Sequence, residues 1–225
     1  MSARHRLSKL LLRQGIVYCG GKAWTRTHDQ WLRRQHFDQV GLQLAFDAAY
    51  DALAAVIDRR DRLDDAIAGM AADSEFTPVV DRLGSLRGIS TLTGFGLAAE
   101  IGDWHRLDGR RTGAYLGMTP TEHSSGASRS LGGITKTGNT HARRLLIEAA
   151  WHHRQPYRPS SPTMRARWDK VPAAARRRGD EGNRRLHERW LAFDARGKRS
   201  VVPMRDARIL TCLGTSERGR VPSAA

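Results

Sequence analysis

Leu7, Leu10 and Leu11 stand at helical spacing among Arg4, Arg6, Lys9 and Arg13, which predicts an amphipathic helix over 2–14 that Gly15 closes. After a loop, Thr27 is placed to cap a short helix carrying Trp31 and Leu32. The clearest pattern lies mid-chain. Leu42, Phe46, Ala49, Leu53, Val56, Arg60, Leu63, Ile67 and Met70 alternate in steps of four and three, an a/d seam broken only by Arg60. Four heptads of this kind predict a coiled-coil or helical-hairpin arm over 42–71; an amphipathic helix laid on a globular core gives the same pattern. Asp58, Asp61, Asp64 and Asp65 share this helix with Arg59, Arg60 and Arg62. Alternating signs make that a solvated face rather than a metal site.

Phe76 to Leu107 reads as a second helical region, and Gly84, Gly88, Gly94, Gly96 and Gly102 predict close turns between short helices. Asp108 to Gly138 is rich in Gly, Ser and Thr. A helix is expected over 140–153, capped by Asn139 or Thr140, with Leu145, Leu146 and Ala149 facing inward. Pro156, Pro159 and Pro162 break the pattern, and a last helix is expected over 181–195 around Leu186, Trp190, Leu191 and Phe193. From Arg199 onward no period is visible. The fold class expected is mainly α: a helical, coiled-coil-like arm over 41–75, then a compact helical domain over 76–155 with a helix-hairpin-helix-like element. Residues 1–40 precede the arm, and 156–225 are expected to form a basic linker, a short helix and a disordered tail.

Charge narrows the partners. The 225 residues carry 38 Lys and Arg against 23 Asp and Glu, a net +15. A surplus of that size favours a polyanion, usually a nucleic acid, through release of phosphate counterions. A ribosomal-type protein, a membrane-surface binder or an Arg-rich coding bias would share it. From Trp151 to the end, eighteen Lys and Arg face seven Asp and Glu, densest at Arg176, Arg177 and Arg178, so this part reads as a phosphate-contacting tail or a solubilising linker. No uninterrupted apolar run nears the roughly 20 residues of a membrane span, and Leu10–Leu12 are too few for a signal-peptide core. Cys19 and Cys212 offer no metal spacing. The expectation is a cytoplasmic protein, not a membrane one.

Two motifs carry candidate chemistry. Leu86-Arg87-Gly88-Ile89-Ser90, followed by a helix with Leu92, Phe95 and Leu97 and by Glu100-Ile101-Gly102-Asp103, has the outline of a helix-hairpin-helix. Such a hairpin offers backbone N–H groups to a DNA phosphate, here around Gly88 and Ser90; a structural glycine turn reads the same way. The second runs through Tyr115-Leu116-Gly117-Met118-Thr119-Pro120, Ser124-Ser125-Gly126 and Gly133-Ile134-Thr135-Lys136-Thr137-Gly138-Asn139 to Arg143-Arg144-Leu145-Leu146. A serine beside glycine is open to close approach by a phosphate but needs a base, a metal or dense positive charge to act as a nucleophile. Arg129, Lys136, Arg143 and Arg144 are candidates for that charge, and His123 for a proton shuttle. A plain turn is the simpler reading of Ser-Ser-Gly alone.

Taken in order, "LRGIS…AEIGD", "YLGMTP", "SSG", "GGITKTGN" and "RRLLIEAAW" over residues 83–151 resemble the C-terminal domain of insertion-sequence transposases of the "one-ten" family, relatives of the Piv-type DNA invertases. The upstream "ARHRLSKLLLRQG…AWT…HDQWLR…F" resembles the segment that follows the family's RuvC-like domain, so residues 1–40 are expected to be a remnant of it. The resemblance covers roughly residues 3–200. It implies DNA transposition or site-specific recombination by two modules: a RuvC-like fold holding a metal on four acidic residues, and a C-terminal domain whose serine joins covalently to DNA. It also implies a coiled coil for oligomerisation and a structured guide RNA. Carried onto this chain, the serine is Ser125, with Ser124 the alternative, and Lys136, Asn139, Arg143 and Arg144 become DNA or phosphate contacts. None of the acidic set maps here, so no metal or cofactor is expected in this chain, although an intact member would use Mg. The opening "MSARHRLSKLL" and the unpatterned tail suggest a truncated copy. Two expectations follow: DNA binding with little or no recombination alone, or a non-catalytic, dominant-negative partner that joins full-length transposase, or a second copy, through 42–71.

Overall fold

The computed structural model describes residues 2–104, 107, 109–126, 128, 130–158 and 161–196; Arg129 and the tail from Arg199 lie outside them. The architecture is mainly α. Two compact units divide the chain, residues 1–66 and 67–225, with the boundary inside one long helix.

In the first unit, α1 (Ala3–Arg13) is capped by Ser2 and ends before Gly15, at φ +71°. Helix α2 (Arg26–Leu32) is capped by Thr25, whose hydroxyl accepts from the His28 N–H, so the cap falls two residues before the predicted Thr27. The earlier start turns His28 inward, where its Nδ1 accepts from the Trp24 N–H at 3.2 Å and Tyr18, Trp24 and Trp31 surround its ring. Helix α3 (Val40–Ala72) carries the predicted seam. Its first half is laid on a core: Phe46 and Leu53 are buried with Leu7, Leu11, Leu32 and Phe37, and Leu42, Ala49 and Ile57 pack alongside. Asp29 locks α2 to α3 by accepting from the Tyr50 hydroxyl at 2.7 Å. Further on, Val56, Leu63 and Met70 are exposed. By length and composition α3 could cross a membrane; Asp47 and Asp51 interrupt its apolar stretch, and its buried face is already spent on the protein's own core. Leu7 is fully buried, so Leu7→Ala is expected to cost this unit about 3 kcal/mol. The check is amide exchange, with protection falling in α1–α3 and holding in the second unit.

The second unit is built on α4 (Thr77–Gly84), α5 (Thr91–Ile101) and α7 (Thr140–Trp151). Leu83, Leu86, Ile89, Leu97, Ile101, Leu116, Leu146 and their neighbours form its core. Gly94 and Gly96 make no turns: they lie inside α5, where a Cβ would come within 3.3 Å of Val80 and 3.0 Å of Leu145. Their smallness lets α4 and α7 close on α5. Asn139 is the cap of α7.

Two stretches differ from expectation. Between 108 and 138 stand helix α6 (Gly109–Tyr115) and an antiparallel hairpin of β1 (Pro120–Glu122) and β2 (Leu131–Ile134), with Pro120 opposite Ile134 and Glu122 opposite Leu131. Short, glycine-bearing strands leave no alternating pattern to find. Residues 156–196 are not a linker with one short helix. They form α8 (Pro162–Trp168) and the 22-residue α9 (Ala173–Asp194), which cover the loop between α4 and α5. Asn183, fully buried, accepts from the Arg87 N–H at 2.8 Å and donates to the Ser85 carbonyl at 3.2 Å, while Arg167 donates to the Ile89 carbonyl at 2.9 Å. Helix α9 packs through Ala175, Gly179, Gly182 and Asn183, and a seam of small and polar residues has no apolar period.

Candidate functional site

Ser124 and Ser125 sit on the exposed far end of the β1–β2 hairpin. Ser125 and Ser128 exchange backbone hydrogen bonds at 3.1 and 3.0 Å around Gly126, which makes a tight turn with φ +54°. The two hydroxyls are not equivalent. Ser124 Oγ donates to Glu122 Oε1 at 2.8 Å, whereas Ser125 Oγ has no hydrogen-bond partner among the described residues. His123 is exposed two residues away, its N–H bound to the Ser130 carbonyl at 2.9 Å.

At its base the hairpin is stitched closed. The Thr135, Lys136 and Asn139 N–H groups donate to the carbonyls of Thr119, Gly117 and Tyr115 at 2.9, 3.0 and 2.9 Å. Lys136 holds φ +58°, uncommon for a residue with a side chain, and faces solvent. Lys136 therefore stands level with Gly117 at the hairpin's base, with β1 and β2 between it and the turn that carries Ser125.

Among the described residues, the cations expected around the serine are not gathered there. Arg143 is half-buried and donates to the Leu116 carbonyl at 2.8 Å, which ties α7 to the hairpin's first leg. Arg144 is exposed and pairs with Glu148 one turn on at 2.9 Å. Asn139 has its polar atoms engaged: Oδ1 accepts from the Ala142 N–H, and Nδ2 donates to Glu100 Oε2 at 2.6 Å and to the Tyr115 hydroxyl at 3.3 Å. Arg129 falls outside the described residues. Gly88, at φ +87°, rests against the end of α7, where a Cβ would lie 2.2 Å from the Ala149 carbonyl oxygen. Ser90 caps α5 by accepting from the Thr93 N–H at 3.1 Å. Asn139, Arg143, Gly88 and Ser90 thus each hold the fold, while Ser125, Lys136 and Arg144 face solvent.

Glu100 is a site residue that spacing alone does not single out. At the end of α5 its carboxylate receives Asn139 on one oxygen and His141 Nδ1 on the other at 2.7 Å, and its backbone carbonyl accepts from the Tyr115 hydroxyl at 2.6 Å. The hydrogen bonds of Asn139 first, then of His141, hold the carboxyl below the usual range. Its signal in the sequence was only its place in "AEIGD". Among the described residues no group of three or more His, Cys, Asp or Glu converges as metal ligands. A cavity of about 490 Å³ in the first unit, lined by Trp24, His28, Tyr50 and several arginines, includes none of the predicted site residues.

Comparison with known proteins places this hairpin in context. Residues 80–168 match the family described as Transposase IS116/IS110/IS902, a stretch that runs from α4 through the hairpin to α8. The y4qE protein of Sinorhizobium fredii, named as a transposase, is 32% identical over 200 residues, covering 88% of this chain and 48% of its own length. The transposase for insertion sequence element IS1533 of Leptospira borgpetersenii is 27% identical over 199 residues, 87% of this chain and 57% of its own. For the element IS1111A of Coxiella burnetii, the transposase is 40% identical over 70 residues, 31% of this chain and 19% of its own. The chain spans about half the length of the first two.

Proposed function

On the premise that this chain belongs to the IS116/IS110/IS902 transposases through the domain it carries at residues 80–168, we propose that it binds DNA and that Ser125 is the nucleophile of a strand-transfer reaction. The observation that carries the reading is the pair of serines held out on an exposed hairpin inside the family-matched segment, with the Ser125 hydroxyl uncommitted. In the step proposed, Ser125 Oγ attacks a DNA phosphodiester. An Oγ–P bond forms, a P–O bond to one deoxyribose breaks, the serine proton passes to a base, and the departing sugar oxygen takes up a proton. Ser124, tied to Glu122, is the alternative nucleophile.

Lys136, Arg143 and Arg144 stand away from Ser125 and Arg129 lies outside the described residues, and we look elsewhere for the activation of Ser125. In this reading it comes from a metal-bearing acidic domain, the place where intact relatives would use Mg, and the residues described here do not form such a site. The chain alone therefore binds DNA and recombines little or not at all. Lys136 and Arg144, both solvent-facing, contact phosphates, whereas the turn between α4 and α5 is packed under α8 and α9. A guide RNA is a further partner in this reading, and the setting is the cytoplasm.

A second reading has its own observation. The uncovered Val56, Leu63 and Met70 on α3 continue the heptad seam beyond the core, which suits pairing with another copy or with a full-length transposase. The chain would then act as a non-catalytic, dominant-negative subunit.

The test is DNA carrying a bridging phosphorothiolate, whose sulfur leaves without help. Wild type and Ser124→Ala should trap a covalent protein–DNA adduct that survives detergent, and Ser125→Ala should trap at least about 100-fold less, as expected for loss of a nucleophile. All three should bind duplex DNA equally, and at least ten-fold more weakly at 200 mM than at 50 mM salt. Trapping by Ser125→Ala but not Ser124→Ala moves the role to Ser124. No adduct from any of them, with binding intact, leaves the non-catalytic reading.

A further inference from the structure

The serine hairpin leaves the body of the second unit by one leg and returns by another, and both legs meet at a single residue. The outgoing leg starts at Tyr115, whose hydroxyl donates to the Glu100 backbone carbonyl at 2.6 Å. The returning leg ends at Asn139, whose side-chain amide donates to the Glu100 carboxylate at 2.6 Å and touches the Tyr115 hydroxyl at 3.3 Å. The two legs also join directly, Asn139 N–H to the Tyr115 carbonyl. Two residues on, in the first turn of α7, His141 Nδ1 engages the other carboxylate oxygen at 2.7 Å. Asn139 can do this only because its Oδ1 is committed to capping α7 through the Ala142 N–H, which fixes the amide's orientation.

We infer that Glu100 is the positioning residue of the serine hairpin: its carboxylate, by gripping Asn139 and His141, fixes the direction in which the hairpin carries Ser125 away from α5 and α7. The inference rests on the reading of Ser125 as the reacting group. Leu116 and Met118 root the first leg in the core and Arg143 holds the Leu116 carbonyl, but beyond that root the hairpin is slight: its strands run three and four residues, β2 is mostly exposed, and Ser124 to Gly126 are exposed. A small angular error at the base becomes a displacement of several ångströms at the tip, and loss of alignment at a reacting centre costs orders of magnitude in rate. A carboxylate suits the task because its two oxygens accept from two donors at once, and a charged acceptor makes each bond stronger than a neutral amide would.

The experiment is amide hydrogen exchange on the full chain without DNA, comparing wild type with Glu100→Ala and Glu100→Gln. The readouts are the Thr135, Lys136 and Asn139 amides, which close the hairpin base, against Leu97 and Leu146 in the helices behind. Glu100→Ala should speed exchange of the first set about ten-fold and leave the second set unchanged. Glu100→Gln keeps an oxygen for Asn139 and an N–H for the other His141 tautomer, so it should restore most of the protection. Base amides as slow in Glu100→Ala as in wild type would overturn the inference. So would equal loss of protection in both sets, or failure of Gln to rescue. On phosphorothiolate DNA, Glu100→Ala should bind as wild type and trap about ten-fold more slowly. If even wild type gives no adduct, the nucleophile assignment has failed, while the exchange comparison still decides the role of Glu100.

Discussion

Gly117→Ala is expected to lower the stability of the second unit by about 3 kcal/mol, or roughly 10 °C in Tm. Gly117 holds φ +62°, and a Cβ there would stand 1.7 Å from the Thr137 carbonyl oxygen and 2.8 Å from the Thr137 nitrogen. The φ alone would cost an alanine about 1 kcal/mol. The clash is with backbone rather than with a side chain that can swing away, so relief requires the two hairpin legs to part, at the expense of the Lys136 N–H bond to the Gly117 carbonyl. Gly126→Ala is the matched control: its φ is similar, +54°, with nothing within 4 Å of the added carbon, so about 1 kcal/mol or less is expected. Thermal melts of the two variants make the comparison. Equal melting temperatures would mean that the hairpin base is not closed as described.

The second large effect is one of pH. His153 is buried, its Nδ1 has no hydrogen-bond partner among the described residues, and burial, with the Arg87 charge adding to it, pushes the imidazole down to about 4 from an ordinary 6.5. The folded unit keeps His153 neutral over a range in which the unfolded chain takes up a proton. Stability from this residue is complete above about pH 7, declines as pH falls from 6.5 to 4, and levels off below. The drop is on the order of 3 kcal/mol. Urea unfolding of wild type and His153→Leu at pH 7, 5.5 and 4, followed through α5 and α7, isolates it from the carboxylates titrating nearby. The wild type should lose more with acid than the variant does; parallel curves would mean that His153 is as free to protonate in the folded unit as out of it.

What the sequence disclosed follows from how each part is stabilised. Helices held by apolar stripes were legible: α1, the first half of the α3 seam, and α7 with its Asn139 cap all have periodic Leu, Ile or Phe facing a core. Helix α9 was foreshortened because Gly179, Gly182 and Asn183 do the packing, and α8 was missed because its Arg167 and Trp168 act through hydrogen bonds to the carbonyls of the α4–α5 loop. The Ser-Ser-Gly element was found by its motif, but its setting was not. Spacing brings Lys136, Arg143 and Arg144 within a score of residues of Ser125, and only the strand pairing shows that they stand at the opposite end of the hairpin. Glu100 was hidden for the same reason, since its partners are 39 and 41 residues away along the chain.

The serine's place on an arm, outside every core cluster, has a consequence for how such genes age. In the function proposed above, a substitution at Ser125 abolishes chemistry, and because no described fold contact uses that hydroxyl it does so at almost no cost in folding. Proteolytic quality control, which culls variants by their unfolded fraction, does not see the loss. On that proposal, copies silenced at the tip go on being made, folded and able to occupy DNA or an oligomer. On the same proposal, inactive protein competes with the active form wherever both are made, and recombination slows.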